Sequence, residues 1–147
     1  MNKKVYGVDL SAFSLVRVKD LSVKKFLIAG NLVYLPFKDL SFDVVHYKDS
    51  LEHIPGCFLE TAVLESIRVA RKYVVFMLPL VRKNDEEKIT SVESFVEHYI
   101  SLTYQSWEKV FSRFNWERLD VRKRCKMGRY DGCFVYRKMN WVNEDKV

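Results

Sequence analysis

The chain has 147 residues, 48% of them hydrophobic and 30% charged, with a net charge of +6, which is the size of one domain with enough apolar material for a core. No apolar run approaches the roughly 20 residues that cross a bilayer, and the start of the chain carries lysines without an apolar stretch of signal-peptide length, so the expected location is cytoplasmic. Cys57, Cys125 and Cys133 are three, show no Cys-x-x-Cys spacing and do not stand at ligand spacing with His46, His53 or His98, so neither a disulfide framework nor a zinc site is expected.

Residues 5–10 form a short apolar run ending in an acid, and their length and β-branched content suit a buried strand. Ser11 then stands where a cap would open a helix over 13–20. Asp9 falls at the C-terminal end of that strand, where open α/β sheets place their ligands. A carboxylate there can accept both hydroxyls of a ribose, or it can simply end a strand. Residues 23–29 read as the next strand, ending at Gly30. Leu35, Pro36 and Phe37 turn the chain, with Pro36 fixing φ. A polar loop over 38–41 leads into a strand over 42–47, in which Val44 and Val45 are β-branched and expected to be buried.

Pro55 stands where a helix tolerates proline, and Phe58, Ala62, Leu64, Ile67 and Val69 continue a helical apolar pattern to Ala70. Residues 73–78 are a strongly apolar strand stopped by Pro79. Residues 81–88 are a charged loop, usually a solvated face. From 89 to 114 the pattern is helical, with a Ser/Thr-rich break before a separate helix over 107–114. Residues 116–121 and 133–136 read as two strands of a hairpin. The expected organisation is one domain over 1–140 with a frayed tail over 141–147.

The stretch from Asn31 to Ile54 carries the densest pattern. It contains Gly30, Asn31, Leu35, Pro36, Phe37, Phe42, Asp43, Val45, Leu51, Glu52 and His53, in the order of a class I S-adenosylmethionine-dependent methyltransferase of the small-molecule "type 11" kind, which it resembles. The resemblance implies an α/β fold: a Rossmann-like methyltransferase sheet, here truncated at its N-terminus, with a closing antiparallel hairpin. S-adenosylmethionine is the cofactor it implies. Asp9, with Leu10 beside it, occupies the ribose position. Asn31 stands where the family commonly has an Asp toward the adenine amino group, and its carbonyl oxygen still accepts, without charge. Leu32 would offer an apolar face to the adenine, or serve as a plain core leucine. Lys48, Asp49 and Ser50 stand at the junction lining the methyl-transfer site. No Asn/Asp-Pro-Pro-Tyr motif occurs there, and what remains resembles enzymes that act mostly by positioning. No catalytic residue is therefore assigned. His53 is a base by residue type, or a helix-start residue.

The resemblance begins at the family's second strand. The family's first strand and its glycine-rich turn, which approaches the methionine end of the cofactor, have no counterpart here: the five glycines are scattered. That strand lies inside the family's sheet, so its absence exposes two unpaired ladders. Three outcomes follow: the sheet closes the gap, a homo- or hetero-oligomeric partner supplies a strand, or the chain folds poorly alone.

Two further features bear on function. Tyr99, Tyr104 and Trp107 would line a substrate pocket or pack in the core. Between Glu117 and Lys138 eight Lys/Arg face three acids, so 8 − 3 = +5 of the net +6 lies there. Arg122, Lys123, Arg124, Lys126 and Arg129, with Tyr130, suit phosphates of a nucleic acid, or a solvated hairpin tip. The readings are a methyltransferase acting on an unspecified small molecule or partner protein, a non-catalytic scaffold on the same fold, and, as a third, a nicotinamide-dependent dehydrogenase, which would also need the missing glycines.

Overall fold

The computed structural model describes residues 4–81, 85–89, 99–120 and 132–139. It opens with β1 (Gly7–Asp9), α1 (Ala12–Val16), α2 (Leu21–Lys24) and β2 (Leu27–Ala29). Ser11 caps α1 as expected, its hydroxyl accepting the Ser14 N–H at 3.2 Å. The helix stops at Val16 rather than at residue 20, because Asp20 caps a second helix, accepting the Ser22 N–H at 2.8 Å. That second helix takes the first residues of the expected strand, so β2 begins only at Leu27. β1 and β2 pair in parallel, with Gly7 opposite Leu27 and Asp9 opposite Ala29.

A four-stranded sheet follows. β3 (Phe42–Lys48) and β4 (Ala70–Leu78) pair in parallel across α3 (Leu59–Val69). The hairpin strands β7 (Trp116–Leu119) and β8 (Gly132–Lys138) complete the order β3-β4-β8-β7, with β8 antiparallel to both neighbours. The sequence pattern locates all four of these strands.

At its described ends the helix expected from residue 89 is corrected. Lys88–Ile89 is a short strand, β5, pairing antiparallel with β6 (Ile100–Ser101), and the helix that follows is α4 (Tyr104–Phe111). Glu87 joins the segments, accepting the Thr103 N–H at 2.7 Å and the Ser106 hydroxyl at 2.9 Å, while Thr103 caps α4. Phe95 and His98, the basic loop with Cys125, and the tail fall outside the described residues.

Helices α3 and α4 build the core against one face of the sheet. Tyr47, Val74, Phe76, Leu78, Phe134 and Tyr136 point into it from alternate strand positions. Phe111 stacks on Phe76 at 4.4 Å between centroids and Tyr104 on Phe134 at 4.8 Å. Arg118 of β7 holds α4 from outside, donating to the Tyr104 hydroxyl and pairing with Glu108. On the other face Val44 is 51% exposed, against the expectation that it is buried.

The Leu35-Pro36-Phe37 corner is latched to α3. The Arg68 guanidinium donates to the carbonyls of Leu35 (3.0 Å) and Phe37 (2.7 Å) and to both oxygens of Glu65 (2.7 and 2.8 Å). Glu65 in turn accepts the Leu35 N–H at 2.7 Å.

Gly132, at the start of β8, has no room for a side chain. A Cβ there would lie 2.6 Å from the Leu78 carbonyl oxygen and 2.8 Å from Leu80 Cδ2. Gly132→Ala should therefore force β8 off β4 and cost about 1–3 kcal/mol. Urea unfolding checks this, and a midpoint equal to that of the parent protein would mean the strand yields without cost.

Of the three outcomes for the gap, direct closure does not occur. Among the described residues β1 pairs only with β2 and β3 only with β4. What joins the two sheets near the strand starts is a cluster of rings: Tyr6 lies 5.8 Å from Phe42 and 6.5 Å from Phe37, and Phe37 lies 4.7 Å from Phe42.

Candidate functional site

The site predicted from sequence would sit at the C-terminal ends of the parallel strands. Asp9 ends β1 and is exposed. Its Oδ1 accepts the Ser11 N–H at 2.7 Å, which turns the chain into α1, and its Oδ2 makes no hydrogen bond among the described residues. Leu10 beside it is 76% exposed. The Gly30 N–H donates to the Asp9 carbonyl at 3.0 Å, so Asn31 is held at the neighbouring strand end.

Asn31 makes a tight turn. Its side-chain oxygen accepts the Val33 N–H at 3.0 Å and its carbonyl accepts the Tyr34 N–H at 3.0 Å. The amide oxygen expected to face an adenine amino group is thus already engaged, and the amide NH2 is the group turned to other partners. Leu32 is half-buried and packs against the core. The structure therefore brings Asp9, Leu10 and Asn31 to one strand-end region, with Leu32 following and leaning toward the main core.

Lys48 is not in that group. It ends β3, in the four-stranded sheet rather than the β1-β2 pair, and its carbonyl accepts the Ser50 hydroxyl at 2.8 Å. The next residue, placed at this junction by sequence but given no role, is the unusual one. Asp49 adopts φ 48°, the left-handed region. Its N–H donates to the Met77 carbonyl at 3.0 Å, and its buried Oδ1 has no hydrogen-bond partner among the described residues. No spacing in the sequence signals that conformation; only an acid directly after a parallel strand hints at it.

The remaining candidates divide by burial. Trp107 is fully buried, Tyr104 stacks in the core, and Tyr99 donates its N–H to the Glu52 carbonyl at 2.8 Å. His53 is half-exposed and its Nε2 lies 3.9 Å from Glu52 Oε1. On β3, His46 Nε2 meets Met77 Sδ at 2.9 Å; its ionisation is pushed below the ordinary histidine value by burial and secondarily by Lys48. A cleft of about 200 Å³ lies elsewhere, lined by Leu59, Glu60, Ile89, Val110, Arg113 and Phe114 with Gly56, and includes none of the residues picked for the cofactor. Among the described residues no cluster of metal-binding side chains occurs and no helix is long and apolar enough to cross a membrane.

Comparison with known proteins follows the same line. The family described as "Methyltransferase domain" matches residues 1–78, just over half of the 147-residue chain. The PH0226 protein of Pyrococcus horikoshii OT3 is similar in structure, with a TM-score of 0.62 at 18% identity over 92% of this chain and 71% of that one. BH2331 of Bacillus halodurans C-125, a provisionally assigned methyltransferase, gives a TM-score of 0.61 at 16% identity over 92% and 80% of the respective chains. No curated protein matches the sequence.

Proposed function

The chain belongs to the methyltransferase-domain family, and from that premise we propose that it is an S-adenosylmethionine-binding methyltransferase acting on an unspecified small molecule or partner protein. The observation that carries the reading is the placement of Asp9 at the end of β1 and of Asn31 just beyond the adjacent parallel β2, linked by the bond from the Gly30 N–H to the Asp9 carbonyl.

The residues present suit the adenosyl half of the cofactor. Asp9 Oδ2 would accept the ribose hydroxyls. The Asn31 NH2 group would donate to a ring nitrogen of the adenine, since its oxygen is held by Val33. The exposed Leu10 side chain would be covered by the sugar or base. For the methionine half the described residues offer no equivalent cradle. The cofactor, when bound, supplies an activated methyl group on its sulfonium. Lys48 and Asp49 would border the acceptor side of that site from β3. Positioning is the main contribution this arrangement supports, and proximity alone is worth several kcal/mol.

Isothermal titration with S-adenosylhomocysteine, after the mass in solution has been checked, tests the reading. Micromolar binding that Asp9→Ala abolishes is the expected result. Binding that Asp9→Ala leaves unchanged removes Asp9 from the site. No binding by the folded chain favours the scaffold reading, whose specific support is the divided sheet.

A further inference from the structure

We infer that the cleft between α3 and α4 is a binding site for a small zwitterion with an apolar side chain, that is, a free apolar α-amino acid. It is separate from the proposed cofactor region, since no residue assigned to the cofactor lines it. Three pieces of the chain build it. Leu59 and Glu60 come from the first turn of α3, Ile89 from β5, and Val110, Arg113 and Phe114 from the end of α4 and the turn after it. The volume is about 200 Å³, below the roughly 300–1,000 Å³ of sites that hold drug-sized molecules. The occupant is therefore a small molecule rather than a nucleotide or a folded partner.

The lining is of two kinds. Leu59 is buried, Val110 and Phe114 are half-buried, and Ile89 is 55% exposed. An occupant that packs against these four gains from apolar burial. Glu60 and Arg113 are the charged residues of the lining among those described, opposite in sign, on different elements and both exposed. Among the described residues they make no ion pair with each other, and neither has another side-chain partner. Elsewhere acids and arginines from different elements do pair: Arg68 with Asp39, Arg118 with Glu108 and Arg137 with Glu117. Here two opposite charges border one apolar cleft and stay apart. A ligand that satisfies both carries an ammonium for Glu60 and a carboxylate for Arg113, whose guanidinium matches a carboxylate through two parallel bonds. The apolar walls require its other atoms to be hydrocarbon. Those three groups on so small a skeleton belong to a free amino acid such as leucine. A residue inside a polypeptide lacks both charges, and a phosphate would face the Glu60 carboxylate.

Two-dimensional amide NMR of the whole chain titrated with L-leucine tests this, and it does not depend on whether S-adenosylmethionine binds. The amides of Glu60, Ile89 and Arg113 should shift saturably, with a dissociation constant at or below about 1 mM. Glycine, L-leucinamide and N-acetyl-L-leucine remove in turn the apolar side chain, the carboxylate and the ammonium, and each should bind at least about tenfold more weakly. Glu60→Gln and Arg113→Gln should each weaken leucine by about tenfold or more. Arg113→Gln should leave leucinamide binding within about twofold, and Glu60→Gln should do the same for N-acetyl-leucine, because each variant then removes a partner the ligand does not use. Both residues are exposed, so the variants should keep the parent unfolding midpoint and the losses report the site rather than the fold. No saturable shift by about 10 mM leucine would overturn the inference. Leucinamide, N-acetyl-leucine or glycine binding as tightly as leucine would overturn it too, and so would variants that weaken every ligand alike.

Discussion

Phe111→Ala should cost about 3–5 kcal/mol, the range for deleting a buried phenylalanine. Phe111 is fully buried on α4. Its ring stacks on Phe76 at 4.4 Å and lies near Trp107 at 5.6 Å and Phe134 at 5.3 Å. Its carbonyl also accepts the Trp116 indole N–H at 2.7 Å, which fixes the start of β7. The substitution removes a ring that touches both Phe76 of β4 and Phe134 of β8, and the rigid aromatic neighbours cannot collapse to fill the space. A domain has about 5–15 kcal/mol in total, so the variant should lose a large fraction of its cooperative unfolding transition in urea. Phe114→Ala, at a half-buried position three residues on, should cost less than half as much. A Phe111→Ala midpoint within about 1 kcal/mol of the parent would mean that α4 does not organise this core.

The same contrast between periodic and particular features decides what could be read from the sequence. β3, β4 and the hairpin strands were legible because apolar and β-branched residues run through them between clear breakers, Pro79 among them. The Ser11 cap was legible because a hydroxyl before a helical run has few other uses. The split of the first helix was not, because Asp20 reads as the last residue of one helix until its carboxylate is seen accepting the Ser22 N–H and capping the next. β5 and β6 were not legible either. They are two residues each and exist because Glu87 ties distant backbone together, a contact that leaves no period in the sequence.

The candidate site shows the same limit. Asp9 was singled out by its place at a strand end and Asn31 through a resemblance, and their adjacency follows from the pairing of β1 with β2. The engagement of the Asn31 oxygen by Val33, and the left-handed φ of Asp49, depend on backbone geometry that residue types alone do not encode. The gap in the sheet was expected, whereas direct closure stood among three outcomes until β1 and β3 were each seen to pair with a single neighbour among the described residues.

The Leu35-Pro36-Phe37 corner leads to the second large effect. Its residues mark the family resemblance, but what holds them is Arg68, 33 positions away from Leu35. Arg68→Ala strips donors from the carbonyls of Leu35 and Phe37 and leaves the Glu65 carboxylate with only the Leu35 N–H among its described partners. Hydrogen bonds to charged groups are worth about 1.5–3 kcal/mol each, but the guanidinium is partly solvated, so a total loss of about 2–4 kcal/mol is expected. Arg68→Lys should recover less than half, since an ammonium cannot span two carbonyls and a carboxylate at once. The latch also sets a pH dependence. Hydrogen bonding from Arg68 holds the Glu65 carboxyl below the ordinary value of 4.5, with the Leu35 N–H adding to it. A depressed carboxyl pKa stabilises the fold fully above the unfolded value, and that stabilisation disappears as pH falls through the folded value. Stability should therefore be flat in this component at neutral pH and decline below about 4.5. In Glu65→Gln, urea midpoints measured from pH 7 down to pH 3 should show a lower plateau and a shallower acid decline than the parent. Parallel curves for the two proteins would mean that the Glu65–Arg68 pair does not hold the corner, and that Pro36 and the packing of Leu35 suffice.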